Sequence, residues 1–325
     1  MTFMNWIDGA RNGFQQACLR RRLARAGQAG RLFFVFGCPR SGTTSLCRIL
    51  DRAENATCLL EPDPNLTIQC RQRFDGRLHD PAAALWTALA PRIERGLAEH
   101  AIYGEKNNTL AAFIPELQGL LHGKLLWVTR DGRETVASMH NWHREMFGNF
   151  YRECLDAEEL SDRARAVLAQ LPLEADASNY SRPRPGPQDP YYPRWPTMSR
   201  HEMLCWYWSF ITQYTLDRLQ AIPASRWRRV DYSAADLAEQ VRAAVDFLGL
   251  RAVAAETIAP MLRSRVNSVA DRTGTAQRLP TWHDWSSQEQ EQFWTIAGGA
   301  MTRLGYAPAT AHRRAKDNNR RVTVG

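Results

Sequence analysis

The densest run of anion-binding side chains in the sequence is Pro39-Arg40-Ser41-Gly42-Thr43-Thr44-Ser45. Small hydroxyl residues around a glycine leave backbone N–H groups open to an oxyanion, and Arg40 adds a cation. Gly37 and Gly42 stand at the spacing of the phosphate-loop frame G-x-x-x-x-G-K-[ST], with Thr43 in the place of its lysine. Without that lysine the loop lacks the point charge that reaches the terminal phosphates of a nucleoside triphosphate. The residues therefore predict a phosphate cradle that does not hold Mg-ATP. A second cluster is Arg130-Asp131-Gly132-Arg133, with Ser138 eight residues after Arg130. Acid–base chemistry has four candidates: Glu61, Glu105, His140 and His143. Lys106 stands beside Glu105.

Positioning these groups requires strands that end where the clusters begin. Leu32–Phe36 is a short apolar run ending in glycine and reads as a buried strand, and Ser45–Leu50 continues as a helix with Leu46, Ile49 and Leu50 on one face. Thr57–Leu60 is a short strand, and Pro62 and Pro64 hold the chain extended after it. That places Glu61 just past a carboxyl end, where open α/β sheets build their sites. Asp80 caps a helix over 80–100 with Pro81 at its first position. Ala101–Gly104 is a strand, and Thr109–Leu121 a helix that Gly123 closes. Lys124–Thr129 is the clearest second buried strand and leads to a helix from about Glu134.

Farther on, 177–196 is too rich in proline to be helical and is a linker or a lid, with Tyr191, Tyr192 and Trp195 available for stacking. Met198–Ile222 is a long helix with a wide aromatic surface, read as core. Trp227–Val230 is a third parallel strand, followed by a capping box from Ser233 to Asp236 and a helix ending at Gly249. Ser286 and Glu289 cap a last helix that ends at Gly305. Strands alternating with helices predict an α/β fold, a P-loop-type parallel sheet with helices on both faces.

The chain has 325 residues, a net charge of +8 and no internal repeat. The positive balance favours anionic ligands or surfaces, and the dominance of arginine suits oxyanions. Seven cysteines, none in CxxC spacing, argue against a zinc site or a disulfide framework and for a reducing cytoplasm. No apolar run is long enough to span a bilayer. The arginine-rich segment Arg11–Arg25 reads as a solvated helix face, with contact to an anionic membrane surface as the alternative. No nucleic-acid recognition motif is present.

The run PRSGTTSL resembles the 5′-phosphosulfate loop of sulfotransferases that use 3′-phosphoadenosine 5′-phosphosulfate (PAPS). An arginine after a core strand and a serine on the next helix resemble the family's second signature. RVDYSAADL…VDFLGL resembles the strand-and-helix unit that follows it in bacterial members. The resemblance covers residues 30–145 well and 200–306 loosely. It implies one sulfotransferase-like α/β domain over 31–306; the insert at about 150–197, read as lid-like, matches nothing in the family, and composition alone reads 1–30 as a basic helical segment and 307–325 as a disordered basic tail. It further implies that Arg40, Ser41, Gly42, Thr43, Thr44 and Ser45 hold the phosphosulfate and that Arg130 and Ser138 hold the 3′-phosphate. A basic stretch before the last helix closes over the nucleotide in several members. Arg265 and Arg272 are the residues here, although the family's Arg-Lys-Gly run is absent. Glu61 resembles the glutamate that serves as base, and Lys106 a lysine beside the transferred group; Arg40 and Lys106 would stabilise charge. The implied reaction moves a sulfuryl group from PAPS to an acceptor hydroxyl or amine, leaving adenosine 3′,5′-bisphosphate, with no metal required. The acceptor is left open among a glycan, a glycolipid and a small metabolite, as is oligomeric state. Two other readings stand beside it: a P-loop phosphotransferase, which Thr43 disfavours, and a non-catalytic polyanion binder, supported only by the charge.

Overall fold

The computed structural model describes residues 3–147, 150–151, 161–170, 182–264, 268–274 and 278–306. Among them, five strands form one all-parallel sheet in the order β2-β3-β1-β4-β5. The strands are β1 Leu32–Gly37, β2 Ala56–Leu60, β3 Ile102–Lys106, β4 Lys124–Thr129 and β5 Trp227–Asp231. β1, at the centre, is buried along its whole length, and its side chains alternate between two cores. Leu32, Phe34 and Phe36 join one core, and Phe33 and Val35 join the other.

The second core is closed by α2 (Thr43–Leu50) through Leu46 and Ile49. The first core is closed by α4 (Pro81–Glu99) and α6 (Gly132–Trp142), and by the long helices α8 (Arg200–Gln220) and α12 (Ser287–Leu304). The remaining helices are α1 (Phe3–Gln28), α3 (Thr67–Phe74), α5 (Ile114–Glu116), α7 (Asp162–Gln170), α9 (Leu237–Leu248), α10 (Ala255–Arg263) and α11 (Val269–Thr273). No described helix is long and apolar enough to cross a membrane. The described cysteines are free; Cys47 and Cys58 lie buried with their sulfurs 3.4 Å apart.

Several caps follow the sequence. Asp80 accepts from the Ala83 amide with Pro81 at the first helical position. Ser286 and Glu289 form a capping box on α12, and Gly249 and Gly305 end their helices in the left-handed region. Four local readings are corrected. The segment after β3 is not one helix but 3₁₀ over Asn108–Phe113, α5, then π over Leu117–Leu121. Pro115 removes a backbone donor in the middle of it. The left-handed residue closing it is His122, with a φ of 49°, rather than Gly123. Ser233 caps no helix: its hydroxyl accepts from the Asp131 amide and donates to Glu134. Trp195, read as available for stacking on a ligand, is instead buried against Tyr151 and Trp206.

Candidate active site

The loop Cys38–Gly42 leaves the carboxyl end of β1 and enters α2 through Gly42, which has a φ of 103°. A side chain there would be strained, and a methyl group would stand 2.4 Å from the Tyr232 ring. Arg40 also takes a left-handed conformation, with a φ of 71°. No side chain caps α2, so the amides of its first turn face outward over Thr43, Thr44 and Ser45. Ser41 is 1% exposed, and its hydroxyl has no hydrogen-bond partner among the described residues. A buried hydroxyl without a partner is costly unless a ligand takes it.

The second cluster meets this loop from β4. Arg40 Nε donates to Ser138 Oγ on α6 at 3.2 Å. Arg130 Nη1 donates to the Arg40 carbonyl at 3.3 Å, while its Nε is held by Glu134 at 2.8 Å. The Arg40 guanidinium lies 4.2 Å from the Trp142 ring, and that of Arg272 lies 5.7 Å from the same ring. Burial, and then the charges of Arg130 and Arg272, pull Arg40 down to about 10. Mutually repelling cations around an unpartnered hydroxyl and a helix N-terminus are what a multiply charged anion would relieve. A phosphosulfate or phosphate group fits these residues. Arg133, whose role the motif left undefined, is committed to Asp131 and to the face of Trp282. Arg265 lies outside the described residues.

The other side of the loop is built by β2 and β3. β3 runs to Lys106, two residues past the expected end, and Lys106 pairs in register with Leu60 of β2 and Val35 of β1. Glu61 follows β2 with a φ of 47°, and its amide donates to the Lys106 carbonyl at 2.8 Å. The Glu61 carboxylate forms an ion pair with Lys106 Nζ. The glutamate side chain is 50% exposed, whereas the lysine is 2% exposed. Left-handed conformations at Arg40 and Glu61 cost about 1–3 kcal/mol each and persist only where surroundings impose them.

The framework around Glu61 has no local signature in the sequence. Glu105 is fully buried, held by Arg92 of α4 through two bonds of 2.7 and 2.8 Å and by the Tyr103 hydroxyl at 2.9 Å. Arg92 also donates to the Pro64 carbonyl at 3.0 Å. Asn107 and Thr109 both donate to the Asn65 carbonyl, at 3.0 and 2.7 Å. The loop carrying Glu61 is thus fastened to β3 and the segment after it. This removes Glu105 from the list of bases, since its carboxylate is consumed by the pair. His143 Nδ1 accepts from the Phe150 amide inside the core, and burial pushes His140 down to about 4, with the Arg200 charge adding to it. Neither histidine has the placement of Glu61 at the carboxyl edge of the sheet. The Arg92 partnership is invisible in sequence, because a buried ion pair between a helix and a strand has no local signature.

Neighbouring parallel strands lie about 4.8 Å apart, so Lys106 at the end of β3 and Arg130 after β4 are separated by about 10 Å across the β1 loop. One elongated ligand with two anionic groups could touch both. No family model matches the chain, and no curated protein matches it. In overall fold the chain is similar to sulfotransferases of known structure. One from Alicyclobacillus acidocaldarius is 16% identical and covers 86% of this chain and 98% of its own, with a TM-score of 0.44. Mouse sulfotransferase SULT7A1, complexed with PAP, is 12% identical with 92% and 93% covered and a TM-score of 0.42. Sulfotransferase STF9 from Mycobacterium avium is 13% identical with 85% and 77% covered and a TM-score of 0.44.

Proposed function

We propose that the chain is a PAPS-dependent sulfotransferase, with residues 31–306 as its catalytic domain, acting in the cytoplasm. The observation that carries the reading is the meeting of Arg40, Ser138 and Arg130 on one flank of the β1 loop, with the Glu61–Lys106 pair on the other. Arg40, Ser41, Gly42, Thr43, Thr44 and Ser45 would hold the phosphosulfate. Arg130 and Ser138 would hold the 3′-phosphate, with Arg272, and Arg265 by resemblance, closing over it. PAPS supplies a sulfuryl group on a good leaving group. Glu61 takes the proton of the attacking hydroxyl or amine. Lys106 fixes the Glu61 carboxylate at rest and, with Arg40, opposes the charge that develops on the transferred and leaving oxygens. These cations do the work for which a phosphotransferase uses a metal ion, so no metal is required. The Thr43 position separates this reading from a phosphotransferase.

The test is thermal stability with adenosine 3′,5′-bisphosphate, 5′-AMP and Mg-ATP, on wild type and Arg130→Ala. At a hundred times its dissociation constant a ligand adds about 2.7 kcal/mol. Stabilisation by the bisphosphate, reduced in the variant, is expected. Stabilisation by Mg-ATP alone would favour the phosphotransferase, and none by any nucleotide the polyanion binder.

A further inference from the structure

The insert before α8, which matches nothing in the family, takes no part in the chemistry above. Over 186–197 it runs in successive turns, one of them closed by the Asp189 amide donating to the Gly186 carbonyl at 2.8 Å. Asp189 is fixed at two points. Its Oδ1 accepts from the Tyr191 amide at 2.8 Å and its Oδ2 from Trp206 Nε1 on α8 at 3.0 Å. With Pro190 and Tyr191 it borders a cleft of about 380 Å³, a size that small molecules occupy. The outer face of α8, from Trp206 through Phe210 and Tyr214 to Asp217, and Ile296 of α12 supply the rest of the lining. The rings are held in place: Trp206 and Phe210 stack at 4.9 Å, and Phe74 stands edge-on to Phe210 and Tyr214 at 5.6 and 5.0 Å. Asp217 is paired with Arg303 at 2.6 Å. Arg218, the one cation among the lining residues, lies over the Tyr214 ring and donates to the Tyr214 carbonyl at 3.2 Å. Arg194, 5.8 Å from the Tyr191 ring, is paired with Glu202 at 2.8 Å. Asp189 makes no ion pair among the described residues.

We propose that this cleft is a second ligand site, which takes a protonated amine on a flat apolar body, the ammonium group against Asp189 and the body on the aromatic face of α8. Electron-rich rings beside a carboxylate attract a cation from two sides. A neutral ligand of the same shape would cover Asp189 without replacing the water it loses. An anion would meet that carboxylate directly. The site stands apart from the phosphate loop. At about 3.6 residues per turn, Trp206, Phe210, Gln213 and Asp217 lie opposite Trp208, Ile211 and Thr212 on α8. The latter three line the small cavity behind Ser41 and Arg130. None of the residues proposed for PAPS lines the cleft, so the proposal does not rest on the sulfuryl-transfer reading.

The probes are three indoles of matched shape: tryptamine as its ammonium ion, uncharged tryptophol and anionic indole-3-acetate. Each is titrated by calorimetry into the full chain, alone and with adenosine 3′,5′-bisphosphate present. Tryptamine is expected to bind, tryptophol about tenfold more weakly and indole-3-acetate more weakly still. Asp189→Asn keeps an oxygen for Trp206 Nε1 and removes the charge; it should bring tryptamine down to the level of tryptophol. Gln213→Lys, which sets an ammonium group in the lining, should weaken tryptamine by about tenfold or more. Thermal unfolding checks that both variants are folded. The bisphosphate should leave tryptamine affinity unchanged. Four results would overturn the proposal: no heat from tryptamine, equal or tighter binding of tryptophol or indole-3-acetate, unchanged tryptamine affinity in both folded variants, or displacement of tryptamine by the bisphosphate, which would put the amine in the site already described.

Discussion

The carboxyl edge of this sheet is divided at β1. On the β4 side stand Arg40, Arg130 and Arg272; burial first, and then the charges of the other two, lower the affinity of Arg40 for its own proton. On the β2 side stands Glu61, with Lys106 as its buried partner and leucines on the rim. The β4 side gathers cations beside the buried Ser41 hydroxyl, which has no partner among the described residues, and is where the anion is proposed to bind. The β2 side is organised by a closed network, Arg92–Glu105–Tyr103, that holds a backbone loop and leaves one carboxylate half exposed. Net charge summed over the chain hides this division.

The division can be broken at several points. The largest effect is expected at Glu61→Gln: turnover falls by about 10²–10⁴-fold, while bisphosphate affinity, read by calorimetry, stays unchanged. Next is Arg92→Met, which strands the buried Glu105 carboxylate; urea titration should show a loss of about 3–5 kcal/mol. Adding Glu105→Leu should recover most of that stability. Turnover should stay low in the double variant, because the Pro64 carbonyl is still unheld, and its bisphosphate affinity should be normal. Full activity there would show that the clamp is structural only. On the other flank, Arg130→Ala should weaken bisphosphate binding by about 10–100-fold, the worth of a charge-assisted bond.

The smallest effect lies behind that flank, at His140 on α6. Burial holds it near 4 in the folded chain against an ordinary 6.5. Between those values the unfolded chain takes up a proton that the folded chain refuses. Stability therefore falls as pH drops from 6.5 toward 4 and is flat, as far as this group goes, above 6.5. For a partly exposed group the contribution is on the order of 1–2 kcal/mol. His140→Gln should flatten the pH slope measured by thermal unfolding.

Much of the proposed nucleotide flank was legible in the sequence. Within Lys124–Thr129, Leu125–Val128 is a continuous apolar run, as a parallel strand buried on both faces requires, and β4 has the bounds Lys124–Thr129. Asp80 and Pro81, and Ser286 with Glu289, carry their own local signatures, and their helices start there. The clusters at Arg40 and Arg130 follow the strands that bring them together. The acceptor flank was legible in part. Glu61 could be placed past a strand end because Pro62 and Pro64 forbid a helix there. What fixes it could not, since Arg92 and Glu105 meet only through the fold. Ser233 had the pattern of a cap but is taken by the β4–α6 junction. The segment after β3 has helical periodicity throughout, yet Pro115 divides it among three helical geometries.

β2 has a neighbour on one side only. A substitution along it disturbs one ladder where the same change in β1 would disturb two. The arginines of the opposite flank lie beyond β3 and β1 and share no strand with it. Changes along β2 are therefore insulated from the residues proposed to hold the nucleotide. That insulation is a physical condition under which a lineage can exchange one substrate for another while keeping the same donor.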